Sequence, residues 1–404
     1  MDGLETTLTP AETLKDERGQ SLVLITLCMT CLAGILGLAV DGGLLFRAKR
    51  ITQTAADSAA IAGSAELRYG SVTAVAKAAS GQNGVTDGSN GGTVTVNNPP
   101  QSGPHNGNSS YVEVIASQSV PTIFMALFNQ ATVTVSSRAV AGNVASHGCL
   151  YALEGSGTGI LVNGSETISM PGCAIYDDSN DGTQAMLING SGSLTANSIG
   201  VVGKVLKNGT FTIVPNPVTG IVPVPDPLAY LQAPTPPNSC GSSYLFNGSG
   251  NGTANPGCYQ SFTVNGSGNV TLSPGLYIIE NSLILNGSGT VSGTGVTFYL
   301  MGTSTFNGSQ TLHFIAPTSG TYNGVLFFQS RLDTQSVTLN GSGSSVLEGI
   351  FYFPVAQVTF NGSSSSGLYT TVVSHSFVFN GSLTINDYAT INSGTPIAGP
   401  RLIE

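Results

Sequence analysis

The feature that most restricts the fold of this chain is a short unit, Asn-Gly followed by Ser or Thr, that returns at near-regular spacing in ten places, with one extra copy at Asn251 close behind Asn247. It stands at Asn163, Asn189, Asn208, Asn247, Asn265, Asn286, Asn307, Asn340, Asn361 and Asn380. Most steps between successive units lie near twenty residues, and one, from Asn208 to Asn247, lies near forty. A period of about twenty residues built from short strands and turn residues is the pattern of a solenoid in which each repeat is one coil. Asn-Gly supplies the turn chemistry of a tight corner. The residue before it is mostly apolar (Val162, Ile188, Val264, Leu285, Leu339, Phe360, Phe379), which places that side chain inward. Antiparallel hairpins, the rival reading of Asn-Gly, would put corners every 8–12 residues.

Stacked corners superimpose, so the amides of Asn163, Asn189, Asn247, Asn265, Asn286, Asn307, Asn340, Asn361 and Asn380 are predicted to bond along the stack as a ladder. The expected fold is mainly β: a right-handed parallel β-helix of ~20-residue coils over residues 146–400. The prolines between 215 and 237 interrupt the rhythm, and residues 204–239 read as an excursion from the stack. At about 4.8 Å per coil, ten to twelve coils would extend some 50–60 Å. Asn-Gly-Ser/Thr also spells a glycosylation acceptor, but a structural ladder is the simpler account of its regular spacing.

The other end of the chain has a different grammar. Residues from Gln20 to Val40 carry no charge, and Arg47, Lys49 and Arg50 follow shortly after Asp41. An apolar run of about twenty residues suits the ~30 Å hydrocarbon of a bilayer. It is longer than the core of a secretory signal and no A-x-A site follows it, so a retained transmembrane helix over residues 20–46 is expected, with a polar tail at 1–19. Helical spacing continues beyond it in Ala48, Ile51, Ala55, Ala59, Ala62 and Ala65, an alanine face suited to packing within its own domain or against another subunit. Val- and Thr-rich alternation then marks strands near 93–97, 111–117 and 132–141, with a short helix opened by Pro121. Residues 47–145 thus read as a small α+β domain.

Composition narrows the function. Only 8% of residues are charged and the net charge is −9, so there is no basic face for nucleic acid. Cys28 and Cys31 lie in the apolar run, whereas Cys149, Cys173, Cys240 and Cys258 lie beyond it. Four cysteines there suit disulfides in an oxidising compartment, most simply Cys149–Cys173 and Cys240–Cys258, although three pairings exist and zinc is a rival. β-Helices also host glycan-active enzymes, whose sites gather carboxylates on one face. The ionisable residues here are few and scattered. Asp177-x-Ser179-x-Asp181-Gly182 imitates the start of a calcium loop but lacks the closing glutamate, and Arg331 with Asp333 reads as an exposed pair on a loop. No catalytic, cofactor or metal residues are assigned; the expectation is a protein that is not an enzyme and needs no cofactor.

The segments RGQ before the apolar run, VDGGLLFRAKRITQTAADSAAIAGSAEL after it and SVPTIFMALFNQATVTVSSRAVAG further on resemble TadG-like proteins of the tight-adherence (Flp) pilus-assembly system, over about residues 17–142. The resemblance implies a bacterial single-pass, pilin-like membrane protein with a cytoplasmic N-terminus and its β-helix passenger periplasmic or extracellular. The bilayer and other pilus-assembly membrane proteins would be its partners. Leu24 stands five residues after Gly19, where processed pilins carry glutamate, so no cleavage at Gly19 is expected. The alternative is a surface adhesin whose β-helix binds a carbohydrate, with a surface glycan as partner; a glycan-active enzyme is the third reading.

Overall fold

The computed structural model describes residues 18–68, 70–145, 147–307, 309–340, 345–362, 364–392 and 396–404. The tail read over residues 1–19 lies, up to residue 17, outside the described residues. The chain divides into two units, Met1–Asn143 with Pro400–Glu404, and Val144–Gly399.

In the first unit one helix, α1 (Arg18–Ala65), runs through Gly42-Gly43 and is followed by α2 (Val72–Gln82). Three antiparallel strands, β1 (Gly92–Asn97), β2 (Tyr111–Pro121) and β3 (Thr132–Ala145), form a sheet with the C-terminal strand Ala398–Leu402 at its edge beside β3. The helix meets this sheet through alanine. Ala55, Ala56, Ala59 and Ala60 are fully buried against Val112, Val114, Ala116, Ala139 and Ala141. Side chains this small bring the helix backbone close to the sheet, so the alanine face serves packing inside its own unit. The N-terminal half of the helix is the reverse: Leu22 to Val40 leave their apolar side chains mostly exposed. This is a helix long and apolar enough to cross a membrane.

The second unit is a parallel β-solenoid of about 11 turns with ~21-residue coils. Each coil contributes strands to three parallel faces. Residues pointing in alternate with residues pointing out, and the inward columns fill a single core in which the rings of Tyr277, Phe298, Phe327 and Phe351 pack one against the next, tilted, stacked and edge-to-face in turn. Val162, Ile188, Val264, Leu285, Phe360 and Phe379, each one residue before an Asn-Gly corner, are buried there.

The coils do not stack in chain order. The final full coil pairs with the first: Val372–Ser374 lie beside Leu150–Ala152, and Phe377–Phe379 beside Ile160–Val162. From that junction the chain winds one way through Thr167–Asp177 and Ser193–Val201. It then crosses to the opposite end and winds back from Ser242–Phe246. The crossing is made by the Pro-rich segment. Residues 204–219, assigned above to the excursion, instead build strands on the stack, with Val205–Gly209 beside Met186–Gly190 and Val218–Thr219 beside Gly200–Val201. Only residues 220–241 leave it.

This strap must pass ten strand spacings, roughly 48 Å at ~4.8 Å each. Its 22 residues reach ~68 Å in the extended form that proline favours, but only ~33 Å as a helix. An extended strap therefore makes the crossing and a helical one does not, and its prolines keep the segment out of the helical form. The strap also explains why one face of the stack lacks alternation. Val296–Leu300 and Val325–Gln329 are buried at every position, because the inner side meets the core and the outer side meets the strap. The outer column, Ile278, Tyr299, Phe328, Tyr352, Val373 and Tyr151, runs in register along the stack under Leu228 and Leu231. Burying each leucine contributes about 1.5–3 kcal/mol.

Candidate functional site: the helix-sheet unit and the solenoid corner

The corner residues come together in a continuous chain of amides. The Nδ2 group of Asn208 donates to Asn189 Oδ1 (2.9 Å), Asn189 to Asn163 (3.2 Å), and Asn163 to Asn380 (3.2 Å) across the junction between first and last coils. The chain continues from Asn380 to Asn361, Asn340, Asn307 and Asn286. Every bond runs in one sense, so each amide polarises the next. The ladder is a surface feature: Asn208, Asn286 and Asn380 are exposed and the other rungs half-buried. Asn208 is a rung although it lies in the segment that sequence rhythm set aside. Asn247 and Asn265 were expected rungs, but among the described residues no side-chain bond joins Asn286 to Asn265 or Asn265 to Asn247, and both are exposed.

The glycines have two uses at this corner. Gly164, Gly190, Gly209 and Gly362 adopt positive φ, as the turn reading expects. Close stacking is the more general demand. A Cβ on Gly190 would lie 1.7 Å from the carbonyl oxygen of Gly164, and one on Gly287 2.1 Å from that of Gly266.

The structure joins Cys149 to Cys173 and Cys240 to Cys258. The first bond links the strands Gly148–Ala152 and Thr167–Asp177 of adjacent coils. The second fastens the far end of the strap to the strand Gly257–Val264, directly in line with the column the strap covers. Cys28 and Cys31 are free and exposed on the apolar helix.

Arg331 and Asp333, read from sequence as an exposed pair, serve different partners because the strap passes over this loop. Arg331 lies over the rings of Phe328 and Tyr352, each 5.2 Å away, and donates to the carbonyl of Leu228. Tyr352 donates to Asp226 of the strap (2.6 Å), while Asp333 accepts from Gln329 and the N–H of Gln335. In the calcium-like loop, Asp181 caps the N–H groups of Thr183 and Gln184, and Asp177 accepts from Ser179. These are turn contacts, and among the described residues no three His, Cys, Asp or Glu side chains converge as metal ligands. Asp177 is fully buried and its Oδ2 has no partner. Burial pushes its carboxyl up to about 7 against the Ser179 hydrogen bond, with the charges of Asp178 and Glu154 adding to the rise.

The helix-sheet unit holds two polar hubs that no local pattern announced. Glu113, buried in the sheet, meets Arg138 (2.6 Å) and also accepts from Asn97, Ser102 and the N–H of Gln101. Burial alone would raise its carboxyl; those donors, Arg138 foremost, outweigh burial and hold it at about 2. Arg138 also binds Glu404 and the carbonyl of Ser102, so one guanidinium ties the C-terminus and a loop to β3. The second hub is Asp41, buried on α1. It accepts the N–H groups of Ile123, Phe124 and Met125 at 2.7–2.9 Å, fixing the β2–β3 tip to the helix.

That unit, from the apolar helix to α2, is where the chain can be compared with known proteins. Residues 19–78 match the Tad family, described as "Putative Flp pilus-assembly TadE/G-like". The match covers the apolar run, the alanine face and most of α2. Together with the apolar helix and the parallel solenoid, this TadE/G-like segment fits a TadG-like protein carrying a β-helix passenger. No curated protein and no solved structure matches the chain.

Proposed function

We propose that this chain is a non-catalytic, membrane-anchored component of Flp pilus assembly, with its N-terminus cytoplasmic and its solenoid in the periplasm or outside the cell. The observation that carries this reading is the TadE/G-like match, which coincides with the helix able to cross a bilayer and with the alanine face that builds the adjoining domain. The side of the membrane rests on the two disulfides, since such bonds persist in oxidising compartments. A structural role is supported by how the passenger uses its acidic residues. Asp181, Asp226, Asp333 and Asp387 each bind a neighbouring turn, strap or coil.

Other membrane proteins of the pilus machinery are the partners this role requires. The carbohydrate-binding reading has less support, because the column of Tyr299, Phe328, Tyr352 and Tyr151, which could have stacked on sugar rings, lies under the strap. Deleting the chain in its native cell tests the proposal: surface pili should be lost or fewer and return with the full-length protein. Unchanged piliation would overturn it. Protease treatment of intact cells and of spheroplasts tests the orientation, and a solenoid protected in both would place it on the wrong side.

A further inference from the structure

The tip between β2 and β3 carries an apolar cluster that the unit itself does not cover. Ile123, Leu127 and Phe128 are 60%, 79% and 82% exposed. The tip is nonetheless well fixed. The Phe124 ring rests on Gly37, where a Cβ would lie 2.2 Å from it, and the three N–H bonds to Asp41 hold the backbone one helical turn further along. The cluster therefore stands beside Leu36, Leu38 and Val40, which also expose their side chains.

We infer that this tip is a membrane wedge: Ile123, Leu127 and Phe128 enter the hydrocarbon of the leaflet nearest the sheet, alongside the helix. The inference rests on the proposal that α1 crosses a bilayer. Three observations converge on lipid as the occupant. The apolar surface of the tip is continuous with that of the helix, and patches of this kind mark protein or membrane contacts. Irregular backbone enters hydrocarbon only when its polar groups have partners. Here the N–H groups of Ile123, Phe124 and Met125 bind Asp41, while those of Leu127, Asn129 and Gln130 bind carbonyls of Phe124, Ala126 and Met125. The same bonds give Asp41, which ends the uncharged run, three donors in place of water. Finally, Arg47, Lys49 and Arg50 are exposed six to nine residues beyond Asp41, ~9–14 Å along the helix. That is where anionic headgroups would meet them.

The test uses the full-length protein with Cys28→Ser and Cys31→Ser, carrying one new cysteine as Leu127→Cys, Leu36→Cys or Asn108→Cys. All three positions are exposed, so labelling leaves the packing intact. Each variant is labelled with an environment-sensitive fluorophore and reconstituted into phosphatidylcholine–phosphatidylglycerol vesicles, with nitroxides on the acyl chains or iodide in the buffer as quencher. Labels at Leu127 and Leu36 should be quenched at least twofold by lipid nitroxide and shielded from iodide. The label at Asn108, at the other end of β2, should show the opposite. A Leu127 label open to iodide while Leu36 is lipid-quenched overturns the wedge and leaves the anchor standing. Iodide access at Leu36 overturns the anchor and the wedge with it. A Leu127 label shielded from both quenchers means that protein covers the tip, which also overturns the wedge.

Discussion

The two units hold themselves together in opposite ways. In the helix-sheet unit, single charged residues at unrepeated positions make the long-range connections: Glu113 with Arg138, Arg138 with Glu404, and Asp41 with the β2–β3 tip. In the solenoid, charged side chains such as Asp226 and Arg331 fasten the strap, but contact from coil to coil is carried mainly by neutral groups repeated along the stack, with amide bonded to amide and glycine against backbone carbonyl. A hub of charges can fail through one residue, because removing one partner leaves the other buried and unpaired. A ladder spreads the load over many weak bonds, so its sensitive points are steric ones at the corners.

That contrast can be broken or sharpened by mutation. The largest effect is expected from Gly190→Ala. It forces a Cβ to 1.7 Å from the Gly164 carbonyl at a φ of +128°, so the coils must part. A loss on the order of 4 kcal/mol or more is expected, read as faster amide exchange in the coils around the junction; wild-type exchange there would show that the corner yields more easily than its contacts imply.

Next comes a dependence on pH that differs in sign between the units. Asp177 has a raised carboxyl, about 7 in the fold against ~3.9 unfolded. The folded state binds the extra proton between these values, so the solenoid loses stability as pH rises from about 4 through 7. The penalty is present in full above 7 and is on the order of 4 kcal/mol. Glu113, held at about 2, does the reverse: its contribution is complete above ~4.3 and is lost as pH falls towards 2. Exchange measured by region should show the solenoid more stable at pH 5 than at pH 8, and Asp177→Asn should flatten that slope. A solenoid with the same slope in the variant would show that Asp177 is not its source.

Arg138→Ala should cost the helix-sheet unit on the order of 3 kcal/mol, since Glu113 keeps its burial and loses its strongest donor. Glu113→Gln should cost less, because the amide neutralises the site. Equal losses in the two would contradict the charge-hub account. The smallest effect belongs to the ladder: Asn340→Ala removes two amide bonds that are half exposed, and about 0.5–1.5 kcal/mol is expected from thermal unfolding. A loss as large as that of Arg138→Ala would mean that the ladder acts as one cooperative unit and would erase the distinction between the two units.

Legibility in the sequence follows the same division. The apolar and alanine halves of α1, the strands β1 to β3, the coil period and the inward residue before each corner could all be read, because each reflects a local periodicity of 3.6 or 2 residues or a turn. The edge strand Ala398–Leu402 could not, and its first residues read as β-helix, because its partner β3 lies far back along the chain. Arg138, Glu113 and Asp41 could not be placed, since nothing local distinguishes a buried charge that finds its partner far along the chain from a solvated one. Only their rarity, in a chain with 8% charged residues, hinted that each has a place. The misreading of Arg331 and Asp333 has a similar cause. Side by side in a loop they suggest a pair, but the strap supplies each with another environment.

The sequence by itself determined that this chain has a helix able to span a bilayer, an alanine face behind it, and coils of about twenty residues closed by Asn-Gly corners. Tertiary structure decided the order of the coils. Every coil offers nearly the same corner and the same apolar edge, so pairing chemistry alone allows Asn208 to neighbour Asn247, as the forty-residue step invites. The Pro-rich strap is long enough to carry the chain to the far end, where Cys240–Cys258 fastens it, and Asn163 then meets Asn380 across 217 residues. Periodicity specifies what a coil is; only the path of the one segment that breaks the period specifies where each coil goes.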